Sequence, residues 1–186
     1  MNFPNMISPD YKKQLQTMAA SHRFKEKLPK YHLVQDFLKD ESPKSLIDFG
    51  CAHGVMINRI KNDFPNILIV DGYDPGVIEY EKFPQQQYDC LVSNDVIEHI
   101  EPRYLDSTLI AMNTLFTKSA WLIVACYPAK KILPDGRNAH LSVHEPDWWI
   151  EKIKKTFSNV TIEQAEVLEY KTNRMEVRFT LRRLSN

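Results

Sequence analysis

Cysteine is scarce in this sequence, and neither sign of charge is in excess. The three cysteines, Cys51, Cys90 and Cys126, are odd in number and far apart, which excludes a disulfide framework and a paired-cysteine zinc site. We predict that they are small core residues of a protein in a reducing compartment. Lys plus Arg and Asp plus Glu number 24 each, so the chain lacks the overall positive charge that accompanies non-specific nucleic-acid binding.

Long hydrophobic runs are absent as well. No apolar run is long enough to cross a membrane, and residues 1–10 contain neither the basic region nor the apolar segment of a signal peptide. We therefore expect a cytoplasmic protein with no membrane partner. The 186 residues suffice for one substantial core but not for two, which predicts a single domain over residues 1–186.

The stretch from Ser45 to Gly54 is the most informative part of the chain. An apolar run with Asp48 near its end predicts a buried strand, and the small residues that follow predict a tight turn into a helix. Gly50, Ala52 and Gly54 add little bulk to this turn, so a ligand could approach its backbone closely. We therefore expect a ligand at this turn.

Hydrophobic periodicity predicts the remaining elements. Two leading helices are expected, one beginning at Pro9 with an apolar stripe that ends at His22, and one from about Pro29 to Leu38. The later pattern predicts, in order, a helix over 55–63, a strand over 67–70 that is buried on both faces, a polar crossover over 77–87 with at most a stunted strand, a strand over 88–95, a helix from 101 to about 116, a strand over 120–126, a helix from 145, and strands over 160–170 and 174–183. The last strand alternates strictly, and we expect its charged side to face solvent. This order predicts an α/β fold with a mostly parallel sheet and an antiparallel pair at its C-terminal edge.

Polar residues follow several of the predicted strands. Asp74 lies twenty positions after Gly54, where a nucleotide-binding unit presents an acid to ribose hydroxyls. Asn94 and Asp95 end a later strand, and the irregular segment 127–145 follows the next one. Because the carboxyl ends of parallel strands meet at one edge of a sheet, we predict a single ligand crevice there.

From about Lys44 to its end, the chain resembles the class I S-adenosylmethionine-dependent methyltransferases. Residues 46–54 are similar to the first motif of that family, an acid followed by Gly-x-Gly-x-Gly. Residues 72–74 are similar to the acidic segment after the second strand, and residues 88–100 to the Asp-Val-Leu-Glu-His segment after the fourth. The resemblance implies a single Rossmann-like methyltransferase domain with helices on both faces of the sheet. It further implies that residues 1–42 form helices over the cofactor side and that residues 43–186 form the α/β core.

The same resemblance implies an S-adenosylmethionine site. Asp48 and the backbone of the turn would hold the methionine part, Asp74 would bind the ribose hydroxyls, and residues 94–96 would lie beside the sulfur and the ribose. The implied cofactor-binding residues are Asp48, Gly50, Cys51, Ala52, Gly54, Asp74, Pro75, Asn94, Asp95 and Val96.

The methyl acceptor is expected at the loop 127–145, because long loops in compact domains are commonly functional. This loop resembles that of a compact subset of bacterial and phage methyltransferases. Methyl transfer from a sulfonium requires in-line approach, and a base helps when the acceptor is an alcohol or an acid. We predict His140 as this base and Asp135 as the next candidate; the alternative is a loop organised by its own Asn and Asp turns. His140 and His144 stand four apart, but the helix should begin only after them, so we expect no metal site.

The leading functional hypothesis is therefore methyl transfer to a small molecule. The resemblance gives no match for the adenine-contacting acid of the family, and Phe83 or Pro84 is the substitute. Ala52 in place of the middle glycine and the stunted strand region over 77–87 leave open a cofactor-binding protein without methyl transfer. An RNA ribose or cap methyltransferase is a further alternative, although residues 94–97 lack the Pro-Pro-aromatic box used on exocyclic base amines, and we expect no nucleic-acid partner. The turn also lacks the Gly-x-Gly-x-x-Gly spacing of nicotinamide dehydrogenases.

Overall fold

The computed structural model describes residues 6–20, 28, 30–170, 172 and 174–184, so that His22 and the first residue of the second predicted helix, Pro29, lie outside the described part. Within those residues the helices are α1 (Pro9–Ala20), α2 (Tyr31–Glu41), α3 (Val55–Asp63), α4 (Pro102–Asn113) and α5 (Pro146–Thr156). The strands are β1 (Ser45–Phe49), β2 (Ile69–Tyr73), β3 (Tyr88–Asn94), β4 (Phe116–Ala125), β5 (Val160–Tyr170) and β6 (Arg174–Arg183). Short 3-10 turns occupy Ile78–Tyr80 and Ile97–His99.

The strands form one mixed sheet with the order β2-β1-β3-β4-β6-β5. β1 pairs in parallel with both β2 and β3, and β3 pairs in parallel with β4. β6 is antiparallel to both of its neighbours, β4 and β5. The predicted fold, mostly parallel with an antiparallel C-terminal edge pair, is therefore confirmed.

Helices cover both faces of this sheet because its inner strands are apolar on both sides. In β1, Ile47 points into a core shared with α1, α4 and α5, whereas Leu46 points into a second core shared with α2 and α3. Trp121 and Leu122 of β4 alternate between the two cores in the same way. Continuous apolar runs are the pattern that a strand buried on both faces requires.

The second strand differs from its prediction. It begins at Ile69 and extends to Tyr73, and it lies at the edge of the sheet because no strand forms over residues 77–87 to pair with it. Leu68 is therefore 79% exposed and Ile69 43% exposed, so the prediction of a strand over 67–70 buried on both faces is wrong. β4 likewise starts four residues earlier than predicted, at Phe116, since α4 already ends at Asn113.

The start of α1 is attached to the start of α4. Ser8 caps α1, with its Oγ accepting a hydrogen bond from the Tyr11 backbone N–H at 3.1 Å. The buried carboxylate of Glu101 accepts hydrogen bonds from the backbone N–H and the hydroxyl of Ser8 at 2.7 and 3.0 Å. These contacts hold α1 near the carboxyl ends of the strands. None of the helices in the described ranges has the length and apolar character needed to span a membrane.

Candidate active site

A cavity of about 330 Å³ opens at the carboxyl ends of β1, β2 and β3. Seven of the ten predicted cofactor-binding residues line it: Gly50, Ala52, Asp74, Pro75, Asn94, Asp95 and Val96. The opposite wall comes from α1 and the residues before it, namely Met6, Ile7, Tyr11, Leu15 and Met18. Asp48, Cys51 and Gly54 do not line the cavity. Of the two leading helices only α1 does, whereas α2 packs on the other face of the sheet.

The turn after β1 requires glycine for its backbone conformation and for the packing of the protein itself. Gly50 and Gly54 have φ angles of +86° and +73°, in the left-handed region. A Cβ atom on Gly50 would lie 2.3 Å from Val96 Cγ2, and one on Gly54 would lie 2.3 Å from the Tyr80 hydroxyl oxygen. The space that these glycines leave is thus occupied by protein side chains. Ala52, at the place of the middle glycine of the motif, lines the cavity.

Asp74 supports this turn from the end of β2. One oxygen of its carboxylate accepts a hydrogen bond from the Ala52 backbone N–H at 2.9 Å, and the other accepts one from the Gly76 N–H at 2.8 Å. Burial raises the pKa of Asp74, and the two N–H donors oppose that rise. Each carboxylate oxygen keeps further lone pairs, so Asp74 can hold the turn and still accept hydrogen bonds from a ligand.

Asp48 is buried beneath the turn, with 1% of its surface exposed. Its Oδ2 has no hydrogen-bond partner within the described residues. Burial, assisted by the nearby charge of Asp74, raises the pKa of Asp48 to about 8. Burial thus favours the protonated form of this carboxyl. Burial also raises the pKa of the adjacent Cys51 thiol, which makes it a poor nucleophile.

Asp95 belongs to an ion-pair network at the side of the cavity. Its carboxylate oxygens lie 2.6 and 2.7 Å from Lys30 Nζ, and the same ammonium lies 2.8 Å from Glu176 Oε2. The Tyr127 and Tyr170 hydroxyls donate to the two oxygens of Glu176 at 2.9 and 2.8 Å. The prediction that the charged side of β6 faces solvent is therefore wrong at Glu176, which is 2% exposed. The reason is that Lys30, which lies 146 positions earlier in the chain, compensates its charge.

The family described as "Methyltransferase domain" matches residues 19–168, most of the chain. The chain belongs to this methyltransferase family. The predicted class I S-adenosylmethionine-dependent methyltransferase, with S-adenosylmethionine as its cofactor, is confirmed. No curated protein matches the sequence.

Solved structures of other methyltransferases share the fold. The methyltransferase domain of a bacterial Hen1, CtHen1-C, is 14% identical with a TM-score of 0.62, and the match covers 84% of this chain and 97% of that one. The 1,6-didemethyltoxoflavin-N1-methyltransferase of Burkholderia thailandensis, solved with bound 1,6-didemethyltoxoflavin and S-adenosylhomocysteine, is 14% identical with a TM-score of 0.57 over 100% of this chain and 94% of that one. An O-methyltransferase-like protein of Nostoc punctiforme is 13% identical with a TM-score of 0.55 over 82% of this chain; the match spans only 55% of the Nostoc chain.

The loop 127–145, predicted to bind the methyl acceptor, is organised by its own polar side chains, as the alternative interpretation expected. Asn138 exchanges two hydrogen bonds of 2.9 Å with the backbone of Ala129 and also accepts the His140 N–H at 2.9 Å. Asp135 lies at the exposed tip, where Arg137 and Gln14 donate to its carboxylate at 2.8 Å each. These bonds hold the pKa of Asp135 well below its usual range, so its basicity does not favour it as the base.

His140 lies behind the cavity wall and against His99, which lines the cavity. The two imidazole rings meet edge to face with centroids 4.7 Å apart. His140 Nδ1 is 2.5 Å from the Tyr127 carbonyl oxygen, and His99 Nδ1 is 2.8 Å from the Ala139 carbonyl oxygen. Burial lowers the pKa of His99 to about 4 and lowers that of His140, so both rings are neutral at physiological pH. His144 instead stacks on the exposed Trp148, with ring centroids 3.5 Å apart.

Sequence reasoning missed the apolar wall of the cavity and the pairing of His99 with His140. The stripe of Tyr11 and Met18 on α1 is the same pattern that any packed helix shows, so periodicity alone does not reveal a cavity beneath it. His99 did carry a signal, because it belongs to the Glu-His pair after β3 that matches the family. The adenine substitute Phe83 packs edge-on against Tyr73, a cavity residue, with ring centroids 5.3 Å apart.

Proposed function

We propose that this methyltransferase transfers the methyl group of S-adenosylmethionine to a small-molecule acceptor that binds between the cavity and the loop 127–145. The observation that carries the proposal is the convergence of polar groups from three strand ends on one cavity with an apolar opposite wall. A volume of about 330 Å³ is in the range of small-ligand pockets. A cytoplasmic location, in line with three free, buried cysteines, is part of the same proposal.

In this proposal the ten predicted cofactor residues keep their roles. Asp74 accepts hydrogen bonds from the ribose hydroxyls through the lone pairs that Ala52 and Gly76 leave free. Asp48 and the turn hold the methionine part, and residues 94–96 lie beside the sulfur and the ribose. Of the helices within residues 1–42, α1 covers the cofactor side and lines the cavity, whereas the predicted cover does not extend to α2, which packs on the other face of the sheet. Residues 43–186 form the core of the single domain.

The acceptor side is built on His140. A carbonyl oxygen can only accept, so the 2.5 Å contact with Tyr127 places the ring proton on Nδ1 and leaves a lone pair on Nε2. With this lone pair, His140 can take the proton of the acceptor, which is the base role predicted for it. The acceptor atom then attacks the methyl carbon, the carbon–sulfur bond breaks, and S-adenosylhomocysteine leaves as the neutral sulfide.

Titration calorimetry with S-adenosylmethionine tests the cofactor site. Asp74→Ala should weaken binding by about 2 kcal/mol, roughly thirtyfold, because hydrogen bonds to a charged group are lost. Asp71→Ala is the matched control, because Asp71 lies in the same strand but does not line the cavity. Its carboxylate accepts a hydrogen bond of 2.8 Å from the Tyr88 hydroxyl, and the variant should bind the cofactor nearly as wild type does. Equal affinities for the two variants would remove Asp74 from the site.

Turnover distinguishes methyl transfer from cofactor binding alone. A panel of small alcohols, phenols, acids and amines, together with any compound that co-purifies, should yield S-adenosylhomocysteine and a methylated product by mass spectrometry. Tight cofactor binding without turnover on any acceptor would favour the alternative of a binding protein. Turnover on RNA in preference to the small molecules would favour the ribose or cap methyltransferase.

A further inference from the structure

Three side chains with metal-ligating atoms meet beside the cofactor cavity. Glu98 and His99 are neighbours in the 3-10 turn after β3, and His140 reaches them from the acceptor loop. One possible ligand atom from each residue lies within 4.8 Å of the other two. His99 forms part of the cavity wall, so this cluster adjoins the proposed methyl-transfer site.

The hydrogen bonds of both histidines prepare a lone pair for a cation. In each ring Nδ1 contacts a backbone carbonyl, at 2.8 Å from Ala139 in His99 and at 2.5 Å from Tyr127 in His140. Since a carbonyl accepts only, both Nδ1 atoms carry the proton and both Nε2 atoms are unprotonated. Histidines that bind metals commonly donate their other ring N–H to a carbonyl or carboxylate, which fixes the tautomer and the ring orientation.

Glu98 supplies an independent observation. Its side chain is fully buried, and Oε2 has no hydrogen-bond partner within the described residues. Oε1 accepts a long hydrogen bond, 3.3 Å, from the Ala125 backbone N–H. A buried oxygen without a partner is costly and usually indicates a missing water, an ion or a catalytic role. A cation bound by the two neighbouring imidazoles would satisfy this oxygen.

We propose that Glu98, His99 and His140 bind a divalent transition-metal cation at the wall of the cofactor cavity. Two imidazole nitrogens and one carboxylate oxygen suit Zn²⁺ or Co²⁺ better than Ca²⁺ or Mg²⁺, which prefer all-oxygen sites. Bonds of about 2.1 Å set tetrahedral ligand atoms about 3.4 Å apart, so separations of up to 4.8 Å between the ligand atoms would shorten by up to about 1.4 Å on binding. Three protein ligands leave a coordination position for a further oxygen.

This site also indicates a class of acceptor, a step that rests on the proposed methyl transfer. A hydroxyl on an alcohol or phenol would occupy the open position and lose its proton to water, because the cation lowers its pKa. The metal-bound oxygen attacks the methyl carbon, the carbon–sulfur bond breaks, and S-adenosylhomocysteine is released. The Nε2 lone pair of His140 would then bind the cation instead of taking the acceptor's proton. In this arrangement His140 is a metal ligand, and no side-chain base is needed.

Metal binding is tested on the full chain without cofactor or acceptor. Chelator-treated protein is titrated with Zn²⁺ by calorimetry and with Co²⁺ by visible absorption, which reports nitrogen and oxygen coordination. We expect one equivalent per chain, and at least tenfold weaker binding in Glu98→Gln and in His140→Ala. His144→Ala is the matched control, because its imidazole lies in the same loop but stacks on Trp148 outside the cluster, and it should bind as wild type.

Each result then has one meaning. Stoichiometric binding that Glu98→Gln loses and His144→Ala keeps supports the site, provided that thermal unfolding shows the Glu98→Gln protein folded. Binding that is absent in wild type, or equal in wild type and Glu98→Gln, overturns it. If metal binds but no acceptor is methylated, the proposed function fails while the site stands. If chelated protein turns over at the full rate, the metal's role in transfer is refuted and His140 is left as the base.

Discussion

The buried carboxyl of Asp48 should make the stability of this protein depend on pH. Its pKa is raised from 3.8 to about 8 by burial and by the charge of Asp74. The unfolded chain ionises this group near its ordinary pKa, so the unfolded state binds fewer protons than the folded state across the interval between the two values. The contribution of Asp48 to folding is therefore intact below about pH 4 and is lost progressively as the pH rises toward 8.

The size of the effect follows from the shift. Each pKa unit corresponds to about 1.4 kcal/mol, so this group alone should reduce the free energy of unfolding by about 3 kcal/mol between about pH 5 and pH 7. Asp48→Asn has nearly the same shape but cannot ionise. If burial of the amide changes the free energy of unfolding, that change is the same at every pH. The stability of the variant relative to wild type should therefore increase with pH, by about 1.4 kcal/mol per pH unit.

Urea denaturation of both proteins across this pH range measures that difference directly. Comparison of the two proteins cancels the titration of every other group that the substitution leaves undisturbed. Parallel curves for wild type and Asp48→Asn would show that the carboxyl is ionised in the folded state or has a buried counter-charge, and would refute the reasoning. Saturating S-adenosylmethionine provides a second measurement, because a cofactor ammonium close to Asp48 would lower its pKa and flatten the wild-type curve.

Two further predictions concern stability at neutral pH. Gly50→Ala should destabilise the fold by at least about 2 kcal/mol more than Gly136→Ala in thermal unfolding. Both glycines have φ of +86°, but only Gly50 would clash with Val96, whereas nothing lies within 4 Å of the Gly136 position. A Val96→Ala background removes the two closest contacts and keeps the one with Val96 Cβ at 2.9 Å, so it should reduce the difference in part. An undiminished difference would show that the clash is not its cause. Lys30→Met should lower the free energy of unfolding, measured by urea denaturation, by about 3 kcal/mol or more. The substitution leaves two carboxylates without their counter-charge around a side chain that is 14% exposed. Lys39→Met, on a lysine that is 64% exposed, is the control and should cost under about 0.5 kcal/mol; similar losses of stability in both variants would refute the contribution of the ion-pair network.

The sequence by itself determined the elements whose signals are local. The helix over 55–63 and the strands over 160–170 and 174–183 occur with the predicted bounds, since hydrophobic periodicity and flanking turn residues act within a few positions. The turn after β1 and the acid at Asp74 were also readable, because tight turns and strand ends have strong residue preferences. From the order of these elements followed the parallel sheet and the position of the cavity at its carboxyl edge.

Only the tertiary structure decided which distant side chains share a surface. Val96 fills the space over Gly50, and Tyr80 that over Gly54, because the segments after β3 and β2 fold back onto the turn. His99 and His140 are 41 positions apart, and their contact depends on the course of an irregular loop that no periodicity describes. The same holds for the burial of Glu176, since alternation in a strand predicts two faces but not which charged residue receives a partner from elsewhere in the chain.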